Sequence, residues 1–140
     1  MARLPANPSH GAAWVTGASS GIGRAIVLEL VRKGWRVGAT ARDVDSLKAL
    51  AAGTPGSIVA APADVSDEAQ MSAAAADIEV AFGPIGLVVA CAGVYLPVDA
   101  DAPDLSALRK TWDVNLTGAA HAWGIVAPSM VARKEGHIHL

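Results

Sequence analysis

Apolar residues along this chain follow two rhythms, and the rhythms alternate. "GAAWVTG" (11–17) is a short apolar run closed by Thr-Gly, as expected of a buried strand. From Gly21 to Lys33 the apolar positions Ile22, Ala25, Ile26 and Leu30 keep helical spacing, and Gly34 suits the residue just past a helix end. "WRVGATA" (35–41) predicts a second strand, and Asp43 to Ala52 a short helix closed by the turn "GTPG" (53–56). "SIVAAPA" (57–63) predicts a third strand. Ser66, with Asp67 and Glu68 behind it, reads as the N-cap and acidic first turn of a helix running to about Phe82. "IGLVVACAG" (85–93) follows as a fourth strand. Asp104 to Arg133 reads as one or two helices, with Pro128 expected to kink or end the last turn. "GHIHL" (136–140) opens a fifth strand, where the chain stops.

Strands alternating with helices predict an α/β fold with a parallel sheet. Burial on both faces explains why the strands are apolar almost throughout. Residues 1–10 read as a loose lead-in and residues 11–140 as one domain.

Composition narrows the picture. The chain has 140 residues, 52% hydrophobic and 17% charged, enough to bury a core. Two long charge-free stretches are Ile85 to Val98 and Val114 to Ala132. Gly and Pro interrupt the first, Asn and His the second, so both read as buried elements and not as membrane spans. "MARLPANPSHG" has no apolar segment of the signal-peptide kind. Cys91 is the lone cysteine, which excludes an internal disulfide and fits a reducing compartment, the cytoplasm. A net charge of −2 without a basic run points to neither nucleic acid nor an anionic membrane.

The chemistry sits between the first strand and the first helix. Gly17, Gly21 and Gly23 fall in that turn. Glycine permits a tight turn and lets backbone approach a pyrophosphate with no Cβ in the way. The free N–H groups and dipole of the following helix favour negative charge. The spacing differs from G-x-G-x-x-G, and bare glycines alone would suit any strand-to-helix turn. In this context "TGASSGIG" points to a dinucleotide.

With that motif the chain resembles the short-chain dehydrogenase/reductase family, from about residue 11 to 140. "TGASSGIG" (16–23) is similar to the family's cofactor loop at every position, including Ser19, Ser20 and Ile22. "ARD" (41–43), "ADVSD" (63–67), "VACAG" (89–93) and "WDVNLTG" (112–118) follow in the family's order. The resemblance implies a Rossmann-like doubly wound sheet, ending in or just after its fifth strand. It also implies hydride transfer between a nicotinamide cofactor and a small-molecule alcohol or carbonyl, by a homo-oligomer. At the end of the second strand an acid would hold the ribose 2′-OH of NAD, and an Arg the 2′-phosphate of NADP. No acid precedes Arg42, so the resemblance favours NADP over NAD; otherwise Arg42 is a solvated loop residue and Asp43 a helix cap. By resemblance the Asp64 carboxylate accepts from the adenine amino group, with the Val65 backbone beside it. Ala92 and Gly93 border the ribose. Cys91 stands where the family usually has Asn, and is expected to be a buried cysteine with no reactive role. Asn115, in "DVNL", resembles the family's catalytic Asn, whose backbone carbonyl supports a water leading to the active-site Lys.

The remaining catalytic residues have no counterpart here. The family uses a Ser and a Tyr with a Lys four residues on, whose charge stabilises a phenolate that otherwise forms only near a pKa of about 10. The sole tyrosine is Tyr95, with Asp99 four residues later. It is expected to line the mouth of the site or pack on neighbours. The Ser and the Tyr-x-x-x-Lys helix would lie beyond Leu140, so these residues alone should be inactive. A stand-alone dinucleotide-binding or regulatory module is the alternative. His137 and His139 share a strand face, but no further ligand lies at metal spacing and no metal site is expected. The helix over 114–131 is apolar all round, and Trp112, Leu116, Trp123 and Met130 are expected to form a partly exposed patch.

Overall fold

Five parallel strands carry the fold of the computed structural model, which describes residues 6–140. The first half of the expected lead-in, residues 1–5, lies outside the described residues. After a 3-10 turn at Pro8–His10 the chain forms β1 (Ala12–Thr16), α1 (Gly21–Arg32), β2 (Val37–Thr40), α2 (Val44–Ala52), β3 (Ile58–Ala60), α3 (Glu68–Phe82) and β4 (Ile85–Ala90). Then come α4 (Leu105–Trp112), a π turn over Asp113–Thr117, α5 (Gly118–Arg133) and β5 (His137–His139). The sheet order is β3-β2-β1-β4-β5. The chain winds outward to β3, then returns past β1 to β4. That reversal is where open α/β sheets form a ligand crevice.

Alternation along β1 feeds two cores. Ala12 and Trp14 pack with Met71, Ile78 and Val126, beneath α3 and α5. Ala13 and Val15 pack with Val27, Leu47 and Leu50, beneath α1 and α2. One buried polar relay links β1, β2 and the chain just after β3: Trp14 Nε1 donates to Thr40 Oγ1 (2.9 Å), and Thr40 Oγ1 donates to the Ala61 carbonyl (2.8 Å). The relay satisfies polar groups that would otherwise be costly to bury. α1 closes with Gly34 N–H on the Val31 carbonyl and Trp35 N–H on the Leu30 carbonyl, Gly34 taking φ 87°.

Several expectations change. Asp67, not Ser66, caps α3, accepting from Gln70 N–H; Ser66 is engaged by Asp64. β3 ends at Ala60, three residues before the expected end, although Ala61 and Ala63 N–H still donate to the Ala39 and Ala41 carbonyls. The 104–133 region is helical throughout, with a π turn between α4 and α5, and α5 continues five residues past Pro128. Met130 is buried in the first core, while Trp112, Leu116 and Trp123 are exposed. Ile22 also leaves the core face expected of it: it is 77% exposed, and Val27 takes the buried position. His137 stacks on His10, with ring centroids 6.1 Å apart. No helix among the described residues is long and apolar enough to cross a membrane.

Candidate functional site

The C-terminal ends of β1 to β4 open into a groove of about 590 Å³ beside the reversal in strand order. Every cofactor candidate named from the sequence borders it. Gly17, Ser19, Ser20, Gly21, Ile22 and Gly23 form its floor at the start of α1. Arg42 comes from the end of β2, and Asp64 and Val65 from the chain after β3. Cys91, Ala92 and Gly93 come from the chain after β4.

The glycine loop is tight because its backbones touch. A Cβ on Gly17, whose φ is 68°, would stand 2.8 Å from the backbone of Ala92. A Cβ on Gly23 would run into the Gly17 carbonyl. At Gly21, with φ 51°, nothing lies within 4 Å, so the space beside it is open to a ligand. Gly21, Ile22 and Gly23 are the first residues of α1, and their N–H groups have no intrahelical acceptor. Ser20 makes no side-chain cap there. Uncapped amides around a glycine cradle fit a pyrophosphate.

Acids near the groove are largely committed. Asp43 caps α2: Oδ1 accepts from Ser46 N–H (3.0 Å) and Oδ2 from Ser46 Oγ (2.6 Å). These bonds hold its carboxyl below the ordinary 3.8. Asp64 Oδ1 accepts from Ser66 N–H (3.0 Å) and Ser66 Oγ (2.7 Å). Those bonds lower its pKa, with smaller contributions from the charges of Arg42 and Lys110. Asp64 is thus a turn carboxylate as well as a groove residue. Arg42 is exposed and enters no ion pair among the described residues.

The bank after β4 is held by side chains. Ala92 N–H donates to Thr16 Oγ1 (3.2 Å), tying it to β1. Val94 is bracketed by Asn115, whose Oδ1 accepts from Val94 N–H (2.7 Å) and whose Nδ2 donates to the Val94 carbonyl (2.8 Å). Asn115 therefore stands behind Val94, which borders the groove, and is not itself among the residues that border it. It sits in the π turn, a feature often found at functional sites. Cys91 is half-buried, less than expected, and burial pushes its thiol pKa up, which disfavours the nucleophilic thiolate. Tyr95 is 85% exposed and lies outside the groove wall.

Sequence reasoning missed Ala41, Ala63, Val94 and Val114, which also border the groove. The alanines immediately precede Arg42 and Asp64, and Val114 precedes Asn115, so adjacency to the motifs was the available signal. Nothing marked His121, whose Nδ1 lies 2.9 Å from the Val65 carbonyl.

Comparison with known proteins agrees with this architecture. The chain is 35% identical over 143 residues to glycine betaine reductase of Emericella nidulans, covering 99% of this chain and 11% of that protein. It is 40% identical over 138 residues to an uncharacterized oxidoreductase of Myxococcus xanthus, covering 95% of this chain and 54% of that protein. Among solved structures, a variant actinorhodin polyketide ketoreductase with NADPH superposes with a TM-score of 0.86 at 27% identity, covering 96% of this chain and 53% of that one. The chain thus spans about a tenth of the first relative and about half of the other two. The short chain dehydrogenase family model matches residues 11–139. With that match, the glycine cradle and the parallel sheet, the chain belongs to the short-chain dehydrogenase family.

Proposed function

We propose that this chain binds NADP(H) in the groove, as the cofactor portion of an oxidoreductase acting on a small-molecule alcohol or carbonyl. The observation that carries NADP over NAD is at the end of β2. Arg42 borders the groove there, exposed and in no ion pair among the described residues, while Asp43 beside it caps α2. A guanidinium suits a 2′-phosphate, whereas NAD calls for an acceptor for a ribose hydroxyl. NADPH in the crystal structure of the ketoreductase supports the same choice.

In this reading Gly17 and Gly23 let the backbone approach the pyrophosphate, and the free amides of Gly21 to Gly23 meet its charge. Arg42 takes the 2′-phosphate, Asp64 and Val65 flank the adenine, and Ala92 and Gly93 flank a ribose. When bound, the nicotinamide supplies or accepts the hydride. Asn115, implied to be catalytic by the resemblance, is here a positioning residue that fixes the Val94 backbone. No acid–base role falls to Tyr95: it is exposed, and Asp99 rather than a Lys stands four residues on. We therefore expect no turnover from these 140 residues alone. We infer self-association through the exposed stripe of Trp112, Leu116 and Trp123, and function in the cytoplasm, where the lone Cys91 stays reduced.

Titration with NADPH and NADH, followed by nucleotide fluorescence, tests the reading. Tighter binding of NADPH is expected; equal or tighter binding of NADH overturns it. An assay of NADPH oxidation against a panel of carbonyls should give no activity above the no-protein rate.

A further inference from the structure

The π turn and α5 hold both banks of the groove, and the second hold uses a group that the reading above leaves idle. Asn115 secures Val94 on one bank; His121, six residues later, reaches the other. Its Nδ1 is 2.9 Å from the Val65 carbonyl. A carbonyl only accepts, so Nδ1 carries the proton. At Gly118, three residues before, a Cβ would stand 2.6 Å from Val65 Cγ2, so the helix backbone lies against that side chain. Val65 is gripped at its side chain by helix backbone and at its carbonyl by the imidazole.

Val65 needs this support because the sheet no longer holds it. The last ladder-like bond on that bank is Ala63 N–H to the Ala41 carbonyl, and Asp64 N–H turns aside to Gln70 Oε1. The helix does not need His121 in return. α5 is already docked through Ala122, Val126 and Met130, all buried.

We propose that His121 is a positioning residue for the adenine end of the groove, fixing the Val65 backbone against which the base lies. This inference rests on the NADP(H) reading. The experiment compares His121→Asn with His121→Leu, side chains of nearly the same shape, of which Asn alone keeps a donor near the Nδ1 position. The probe is adenosine 2′,5′-bisphosphate, which carries the adenine end without the nicotinamide; its binding is measured by calorimetry beside thermal melting of each protein. His121→Leu should bind about tenfold more weakly, with a melting temperature near that of the parent, and His121→Asn should stay within about twofold of the parent. Equal binding by both variants overturns the inference. So does a His121→Leu chain that fails to fold while His121→Asn folds, because the contact is then structural only. A parent that does not bind the bisphosphate overturns the NADP(H) reading together with the inference. A parent that binds alongside an indifferent His121→Leu overturns the inference alone.

Discussion

Asn115 holds Val94 by both polar groups of its backbone, accepting from the amide at 2.7 Å and donating to the carbonyl at 2.8 Å. A carboxamide has one acceptor and one donor side, so it pairs with a peptide unit as a neighbouring strand would. β4 has ended at Ala90, and this side chain stands in for the missing ladder. Asn115→Leu keeps the volume and loses both bonds. Because the pair is exposed, we expect a loss of about 1 kcal/mol in urea unfolding and faster hydrogen exchange at the Val94 amide. An unchanged Val94 exchange rate would show that the loop is held by other contacts.

Arg42→Ala should weaken NADPH binding by about tenfold or more, the size of a lost charge-assisted contact, and leave NADH within about twofold. Parallel fluorescence titrations of the two nucleotides measure this. If both affinities fall together, Arg42 serves the fold or a shared phosphate and does not discriminate.

The Trp14–Thr40–Ala61 relay makes the two ends of one hydrogen-bond chain unequal. Thr40→Val leaves a buried indole N–H and a buried carbonyl without partners and should cost about 2–4 kcal/mol. In Trp14→Phe, Thr40 still donates to Ala61, so the loss comes from the reduced ring volume and one vacated acceptor. Double-mutant analysis of the unfolding free energies should give strong coupling between the two sites. Additive losses would mean that the relay is energetically unimportant.

Two glycine-to-alanine changes should act in opposite directions. Gly23→Ala drives a methyl into the Gly17 carbonyl, so nucleotide binding should be lost and the melting temperature lowered. Gly124 lies in the interior of α5 with nothing within 4 Å of its Cβ position. Gly124→Ala should stabilise by about 0.5–1 kcal/mol through helix propensity. Thermal melting of the two variants checks both signs.

Acid stability follows from the helix caps. Hydrogen bonds from Ser46 and Ser106 hold Asp43 and Asp104 below the ordinary 3.8. A carboxylate whose pKa is lower folded than unfolded stabilises fully above the unfolded value, and its contribution is lost as pH falls through the folded value. Asp43→Asn keeps an acceptor for the cap without titrating. Urea midpoints of the parent and Asp43→Asn should therefore differ most well above the ordinary 3.8 and converge only as pH falls below it, through the folded value. A gap that stays constant with pH would remove Asp43 from the acid response.

Local pattern by itself determined the alternation of strands and helices, the glycine turn after β1, and the polar groups at the ends of β2 and β3. These features depend on neighbours a few residues apart: a run of apolar side chains for a doubly covered strand, helical spacing for α1, glycine where no Cβ fits. Tertiary structure decided what the pattern left open. Ser66 and Asp67 are both capping residues, and Asp64, by taking Ser66, left the cap to Asp67. The apolar circumference of α5 gave no hint that Met130 would be covered and Trp123 exposed, because that depends on where β4 and β5 lie beneath it. Asp43 reads from the sequence as a helix cap, and the Ser46 bonds that make it one form only once α2 is folded. His121 is one of few polar residues in an apolar helix, and its partner Val65 is 56 residues away. Contacts of that span are set by the order of strands in the sheet, which no window of the sequence contains.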